Sequence, residues 1–219
     1  MIANLDPFSP PLIGDMDSGH RGPIKTTRTI EKYIRAGVAS AHLEDQVLTK
    51  RCGQLSGKKV VAQDEYLAQI PAAHAARTRL RSDVVLIART DALQTLGYGG
   101  CTARLRTARS EGADAGLLEG FASKEQLAQV VKNLAPWPLL LNAVKNGKSP
   151  VITIDEARER GFRIIIFNFL DAGAGIYYHS PEVVPIENQG IVGTPADIAP
   201  VKLLETVGRH GICIFSNVY

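Results

Sequence analysis

The chain has 219 residues, of which 45% are apolar and 21% charged, and its formal net charge is +3. These values exclude disorder, collagen and coiled coil, and the length suits one α/β domain with a single large core. The small positive excess comes without a dense basic block or basic-aromatic interleaving, so no nucleic-acid partner is expected.

The opening "MIANLDPFSPPL" lacks the basic and apolar regions of a secretory signal. The first predicted strand, "PLIGDMD", ends in Asp15 and Asp17. Residues two apart on a strand share a face, so two carboxylates are aimed at one place. A helical candidate over 26–36 leads to a second strand, "VASAHLED", which ends in Glu44 and Asp45. Next comes a long loop, "QVLTKRCGQLSGKKVVAQ", rich in Lys, Gly and Ser, of the kind that forms lids and binding elements. A helix over 64–80 precedes the strand "DVVLIARTD", and a helix over 101–111 precedes "ADAGLLEG". Helices over 123–134 and 154–160 flank "WPLLLNAV" and lead to "FRIIIFN". The alternation is βαβα with steps of a βα unit, which implies parallel strands joined by helical crossovers. The region "FRIIIFNFLDAGAGIYY" is broken by Arg163, Asn168 and Asp171, too short and too interrupted for a membrane span. The remainder reads as loop plus a terminal helix from about Pro200 to Val207. Three cysteines make no even disulfide framework, and a reducing compartment is expected: the cytoplasm, with the mitochondrion as the alternative.

Polar residues end five of the strands: Asp15 and Asp17, Glu44 and Asp45, Arg89 and Asp91, Glu119, and Asn142. That edge is where ligands bind in parallel α/β folds, and polar turn residues alone account poorly for the full set. Two carboxylates from one strand and a third, Glu44, from the next form an all-oxygen set suited to a hard cation, Mg2+ or Mn2+, although a bare D-x-D also serves structural and surface roles. Arg89 shares a face with Asp91, which can orient its guanidinium to clamp a carboxylate; the alternative is an ion pair without a ligand. His42 shares a face with Glu44 and reads either as support for the metal site or as a core histidine. Cys52 follows Lys50 and Arg51, which favour a thiolate, and precedes a glycine in the long loop.

These segments, in this order, resemble the isocitrate lyase and phosphoenolpyruvate mutase superfamily, most closely its methylisocitrate lyase, oxaloacetate hydrolase and petal death protein branch. The resemblance rests on "DMDSG", "AGVASAHLEDQ", "KRCGQLSGKKVV", "LIARTDA", "EGADAGLLEG", "LLLNAVKNGKSP" and "GFRIIIFN". It implies a (β/α)8 barrel of the TIM type, here with about six βα units because two that precede the aspartate-rich strand in the family have no counterpart. One domain over 1–219 is expected, with barrel elements over 1–168 and a C-terminal helical segment over 169–219 that is swapped between subunits of a dimer or tetramer. The implied activity is Mg2+-dependent carbon-carbon lysis of a small 2-hydroxy di- or tricarboxylate through an enolate. The alternatives are a hydrolase of oxaloacetate-type 2-oxo acids and a truncated, non-catalytic homologue acting as a binding or oligomerisation partner.

Carried over by position, the resemblance gives Asp15, Asp17 and Glu44 to the metal, largely through water. It assigns catalytic roles to Cys52, Arg89 and Glu119, with Cys52 protonating the enolate. Substrate contacts fall to Gly53, Gln54, Arg89, Asn142, Ser149 and Pro150. The sequence departs from the family at His20 and Arg21, where Tyr-Gly is favoured, at Gln54, the usual histidine position, and at Asn168, where proline is common.

Overall fold

The computed structural model describes residues 11–20, 22–52, 55–144 and 149–167. Among these residues six strands alternate with five helices: β1 (Ile13–Asp15), α1 (Pro23–Arg35), β2 (Ser40–Glu44), α2 (Gln63–Arg79), β3 (Val85–Thr90), α3 (Leu93–Ser110), β4 (Ala115–Leu118), α4 (Lys124–Leu134), β5 (Leu140–Ala143), α5 (Ile154–Glu159) and β6 (Ile164–Phe167). Every pairing between these strands is parallel and follows chain order: β1 to β4 form one sheet, and β5 pairs with β6. A single parallel bridge, Gly116 to Leu139, carries the succession from β4 to the start of β5. The result is the βα succession of a TIM-type barrel wall. The expected terminal helix and Asn168 lie outside the described residues.

Alternation along the strands sorts side chains onto two faces. One face packs against the helices in a large core that includes Ala41, Leu43, Leu86, Ala88, Leu118 and Leu141 with Ile30, Tyr66, Leu105 and Leu127. The opposite face carries a smaller cluster of Ile87, Ala115, Leu117 and Leu140, flanked by Ile13, Ile164 and Ile166. Continuing that second face by steps of two leads to Asp15, Glu44, Arg89, Glu119 and Asn142. An apolar floor therefore lies beneath a polar rim.

Local differences from the sequence reading have local causes. β1 is only three residues long, because the chain leaves the extended region at Asp17, whose φ is 51°. The face-sharing of Asp15 and Asp17 is thus the work of a turn rather than of strand periodicity. α1 begins at Pro23, whose fixed φ suits a first helical turn. α3 starts eight residues before the expected 101, and non-helical Gly97 (φ 66°, ψ −178°) joins its two pieces. The glycines Gly97, Gly99 and Gly100 weaken the helical signal there without preventing the first piece from forming.

Candidate active site

The turn after β1 is tightly built. Asp15 Oδ1 accepts the Asp17 N–H at 2.8 Å, and Tyr33 Oη donates to the Asp15 carbonyl at 2.6 Å. Glu44 N–H donates to the Asp17 carbonyl at 2.8 Å, which locks the turn to the end of β2. Gly19, at φ 61°, has no room for a side chain: a Cβ would lie 2.6 Å from Thr26 Oγ1 and 2.9 Å from Leu43 Cδ1. Glycine is required there by both torsion and space.

Lys50, from the loop after β2, reaches into the carboxylates. Its Nζ pairs with Asp17 Oδ1 and lies 3.3 Å from Glu44 Oε1. Burial works against its charge, yet Glu44, Asp15 and Asp17 together hold its pKa above the ordinary lysine range. Glu44 is fully buried, and burial pushes it up to about 7 against the pull of Arg89 and Lys50. His42 Nδ1 is 3.4 Å from Asp15 Oδ1; burial, with Arg89 and Lys50, lowers its pKa despite Asp15 and favours the neutral ring. Burial also disfavours ionised Asp15, but His42, Lys50 and Arg89 keep that carboxyl below its usual range.

Arg89 occupies the next sector. Its Nε donates to Asp91 Oδ2 at 2.7 Å, its Nη2 to Asp91 Oδ1 at 3.3 Å, and its Nε lies 3.3 Å from Glu44 Oε2. The Arg89–Asp91 pair expected from the sequence is formed. Lys58 Nζ is 3.0 Å from the same Asp91 Oδ1. Burial pushes the Asp91 carboxyl up, but Arg89 and Lys58 bring it down to about 2. Further round, Asn142 Nδ2 donates to Glu119 Oε2 at 2.9 Å, and burial raises the Glu119 pKa over the opposing effect of Arg89.

Behind this rim, facing the helices, Asp45 collects three donors. They are Thr90 Oγ1 at 2.6 Å, the Asp91 N–H at 2.8 Å and Arg104 Nη1 at 3.0 Å. Arg104 Nη2 also donates to the Val61 carbonyl at 2.7 Å, tying the end of the long loop to the same anchor.

The structure therefore brings Asp17, Glu44, Arg89, Glu119 and Asn142 onto one rim, with Asp15 at its exposed edge. Cys52 is half-buried; its neighbour Arg51 donates to the Ser56 carbonyl, while Lys50 is engaged with the carboxylates. Gly53 and Gln54 lie outside the described residues. Ser149 is buried and Pro150 half-buried, and among the described residues neither hydrogen-bonds to the rim. Sequence reasoning did not find the reach of Lys50 or the role of Lys58. The signal in "SGKKVV" is faint, since alternation puts Lys58 on the face of the bridged Val60 but cannot say where that face points.

Among the described residues no group of three His, Cys, Asp or Glu side chains stands ready to hold a metal ion directly. Asp15 is turned to its own backbone, and the Lys50 ammonium sits against Asp17 and Glu44. The donor chemistry nonetheless fits a hard cation held through water. Asp15, Asp17 and Glu44 offer only oxygen, a cationic group already rests among them, and buried Asp17 Oδ1 and Glu44 Oε2 make ion pairs without a well-formed hydrogen bond. Asn142 Oδ1 is also buried with no hydrogen-bond partner among the described residues, which leaves an acceptor available on the rim.

Comparison with known proteins bears on this arrangement. Residues 2–176 match the family described as phosphoenolpyruvate phosphomutase. The chain is 36% identical over 157 residues to a 2-methylisocitrate lyase of Aeropyrum pernix, an alignment that covers 72% of this chain and 49% of that protein. It is 63% identical to a solved oxaloacetate acetylhydrolase in complex with 3,3-difluorooxalacetate, with a TM-score of 0.80, covering 95% of this chain and 70% of that one. A solved 2,3-dimethylmalate lyase is 50% identical, with a TM-score of 0.80, covering 95% and 69%. The chain spans about half the length of the curated relatives it matches.

Proposed function

The chain belongs to the phosphoenolpyruvate phosphomutase family, and from that premise we propose that it cleaves a carbon-carbon bond in a small 2-oxo or 2-hydroxy dicarboxylate, with a divalent cation, Mg2+ or Mn2+, at the acidic rim. The observation that carries the reading is the rim itself: Asp17 and Glu44 beside Arg89, above an apolar floor, in a chain 63% identical to an oxaloacetate acetylhydrolase. That identity favours the hydrolytic branch, which would convert an oxaloacetate-type acid and water to oxalate and acetate.

Asp15, Asp17 and Glu44 would hold the cation, which supplies Lewis acidity towards the negative charge that develops on the substrate oxygen. Lys50 must then yield some of its contact with Asp17 and Glu44. Arg89, fixed from behind by Asp91, presents its guanidinium to a substrate carboxylate. Asn142 and Glu119 line the adjoining sector, where the raised pKa of Glu119 favours a protonated carboxyl able to donate a hydrogen bond to an anionic ligand. As the 2-hydroxyl of the substrate, or of the hydrate that water forms from a 2-oxo acid, gives up its proton, the carbon-carbon bond breaks and its electron pair passes to the departing fragment as an enolate. The Cys52 thiol gives its proton to that carbon and is restored by the proton the hydroxyl released. The long loop keeps bulk water from doing so first.

A second reading is supported by the curated relatives named as 2-methylisocitrate and 2,3-dimethylmalate lyases: retro-aldol cleavage of a branched 2-hydroxy acid on the same rim. The experiment is a panel of oxaloacetate, 2,3-dimethylmalate and 2-methylisocitrate, assayed with and without Mg2+ and with Cys52→Ser beside the unchanged chain. Products are identified by NMR. Oxalate plus acetate supports the hydrolase, and pyruvate from 2-methylisocitrate or propionate plus pyruvate from dimethylmalate supports the lyase. Absence of Mg2+-dependent turnover on the whole panel overturns both. The homo-oligomer implied by the sequence resemblance is checked by sedimentation.

A further inference from the structure

The long loop returns to the sheet through a short antiparallel ribbon. Gln46 bridges Val60, Val47 N–H donates to the Lys59 carbonyl at 3.0 Å, and Val61 N–H to the Asp45 carbonyl at 2.9 Å. Lys58 stands just outside that ribbon and turns its side chain inward, where it is almost wholly buried, with 1% of the side chain exposed. Its Nζ lies 3.0 Å from Asp91 Oδ1, and a Cβ added at Gly120 would meet it at 3.8 Å, so the ammonium sits beside the ends of both β3 and β4. Burying a long cationic side chain this deeply is unfavourable unless it is paired.

Asp91 is shared. The oxygen that receives Lys58 also receives Arg89 Nη2, and the other holds Arg89 Nε. Two cations thus rest on one carboxylate, while Glu44 Oε2 lies 3.3 Å from Arg89 Nε. Without Lys58, the sector would lose one positive charge, and Asp91 would lose one of its two cationic partners and the contact that fixes it from the loop side.

Resting on the functional reading above, we infer that Lys58 is a positioning residue: through Asp91 it fixes Arg89 for a substrate carboxylate and couples the return limb of the loop to the anion site. Its contribution falls on binding of the dianion more than on the bond-breaking step.

The test is Lys58→Met, Lys58→Gln and Lys58→Arg in the full chain. Oxalate affinity is read by calorimetry in the presence of Mg2+, KM and kcat on whichever panel substrate the unchanged chain cleaves, and thermal unfolding alongside. The expected result is a tenfold or greater loss of oxalate affinity and a matching rise in KM for Met and Gln, with kcat changed less than threefold, and recovery to within threefold by Arg. Two neutral variants are used so that poor folding of one does not decide the matter. Unchanged oxalate affinity and KM in a folded Met or Gln variant, whatever its unfolding temperature, overturns the inference and leaves the functional reading intact. If the unchanged chain neither binds oxalate nor cleaves any panel substrate, the reading beneath fails and the inference falls with it.

Discussion

At one end of β3 Arg89 meets Asp91, and at the other Arg77 meets Asp114, two arginine-aspartate pairs in one α/β wall with different surroundings. Arg77 donates to the Val84 carbonyl at 3.0 Å and the Gly112 carbonyl at 3.2 Å and pairs with Asp114, while Asp114 Oδ2 also accepts the Leu86 N–H at 2.8 Å. Its donors are spent on backbone carbonyls that hold a turn and the starts of two strands. Among the described residues the Arg89 side chain bonds to no backbone carbonyl; it is surrounded by carboxylates, two of which, Glu44 and Glu119, are pushed towards their neutral forms by burial. One end is arranged to hold strands together. The other gathers charge at a cost to the fold, which is the pattern expected where a ligand completes the electrostatics.

The comparison is broken most decisively at the rim. Asp17→Asn is expected to lower kcat/KM on the order of 10²–10³-fold, which corresponds to about 3–4 kcal/mol of transition-state stabilisation, while unfolding temperature moves by only about 2 °C. A large stability loss with little change in activity would reverse the assignment. At the opposite end, Arg77→Met should cost about 1–2 kcal/mol in urea unfolding, because it removes a donor from two backbone carbonyls while the exposed Asp114 keeps its Leu86 N–H bond, and should leave kcat/KM unchanged below the unfolding transition.

Acid sharpens the contrast. The folded pKa of Asp91, about 2, lies below its ordinary 3.8. Its ionised form therefore stabilises the fold fully above about pH 4, and that contribution, about 2 kcal/mol, is lost as pH falls from there through 2. Asp91→Asn should flatten this part of the stability curve, measured by chemical unfolding across pH 2–5. Glu119 shifts in the opposite sense. With its folded pKa raised by burial, stability is lost as pH rises from the unfolded value through the folded one, so Glu119→Gln should gain stability at neutral pH while activity falls.

Much of the architecture was legible because apolar runs such as "DVVLIARTD" and "ADAGLLEG" have strand length and regular βα spacing, and their polar ends mark one edge. Burial patterns follow: β2 and β4 are buried throughout, as strands covered on both faces must be. The start of α3 was less legible, since glycines at 97, 99 and 100 argue against a helix that forms in two pieces. At the site, the Arg89–Asp91 pair could be read from spacing alone, because two residues on one strand face are always neighbours. Lys50 and Lys58 could not, since a long side chain on a loop points wherever tertiary packing sends it. The same holds for Arg104, which sits on α3 and meets Asp45 across 59 positions of sequence. The expected meeting of Asp15 and Asp17 is produced by a left-handed Asp17, a conformation that alternation does not foresee.

The central claim is that a divalent cation at Asp17 and Glu44, beside Arg89, makes this rim a site of carbon-carbon cleavage. It is tested most directly by following oxaloacetate and 2,3-dimethylmalate consumption while Mg2+ is titrated into metal-free protein, unchanged and as Glu44→Gln. The account predicts saturable Mg2+-dependent turnover in the unchanged chain and a Mg2+ requirement shifted at least tenfold upward, or lost, in Glu44→Gln. Turnover indifferent to Mg2+, or an identical Mg2+ response in both proteins, would contradict it.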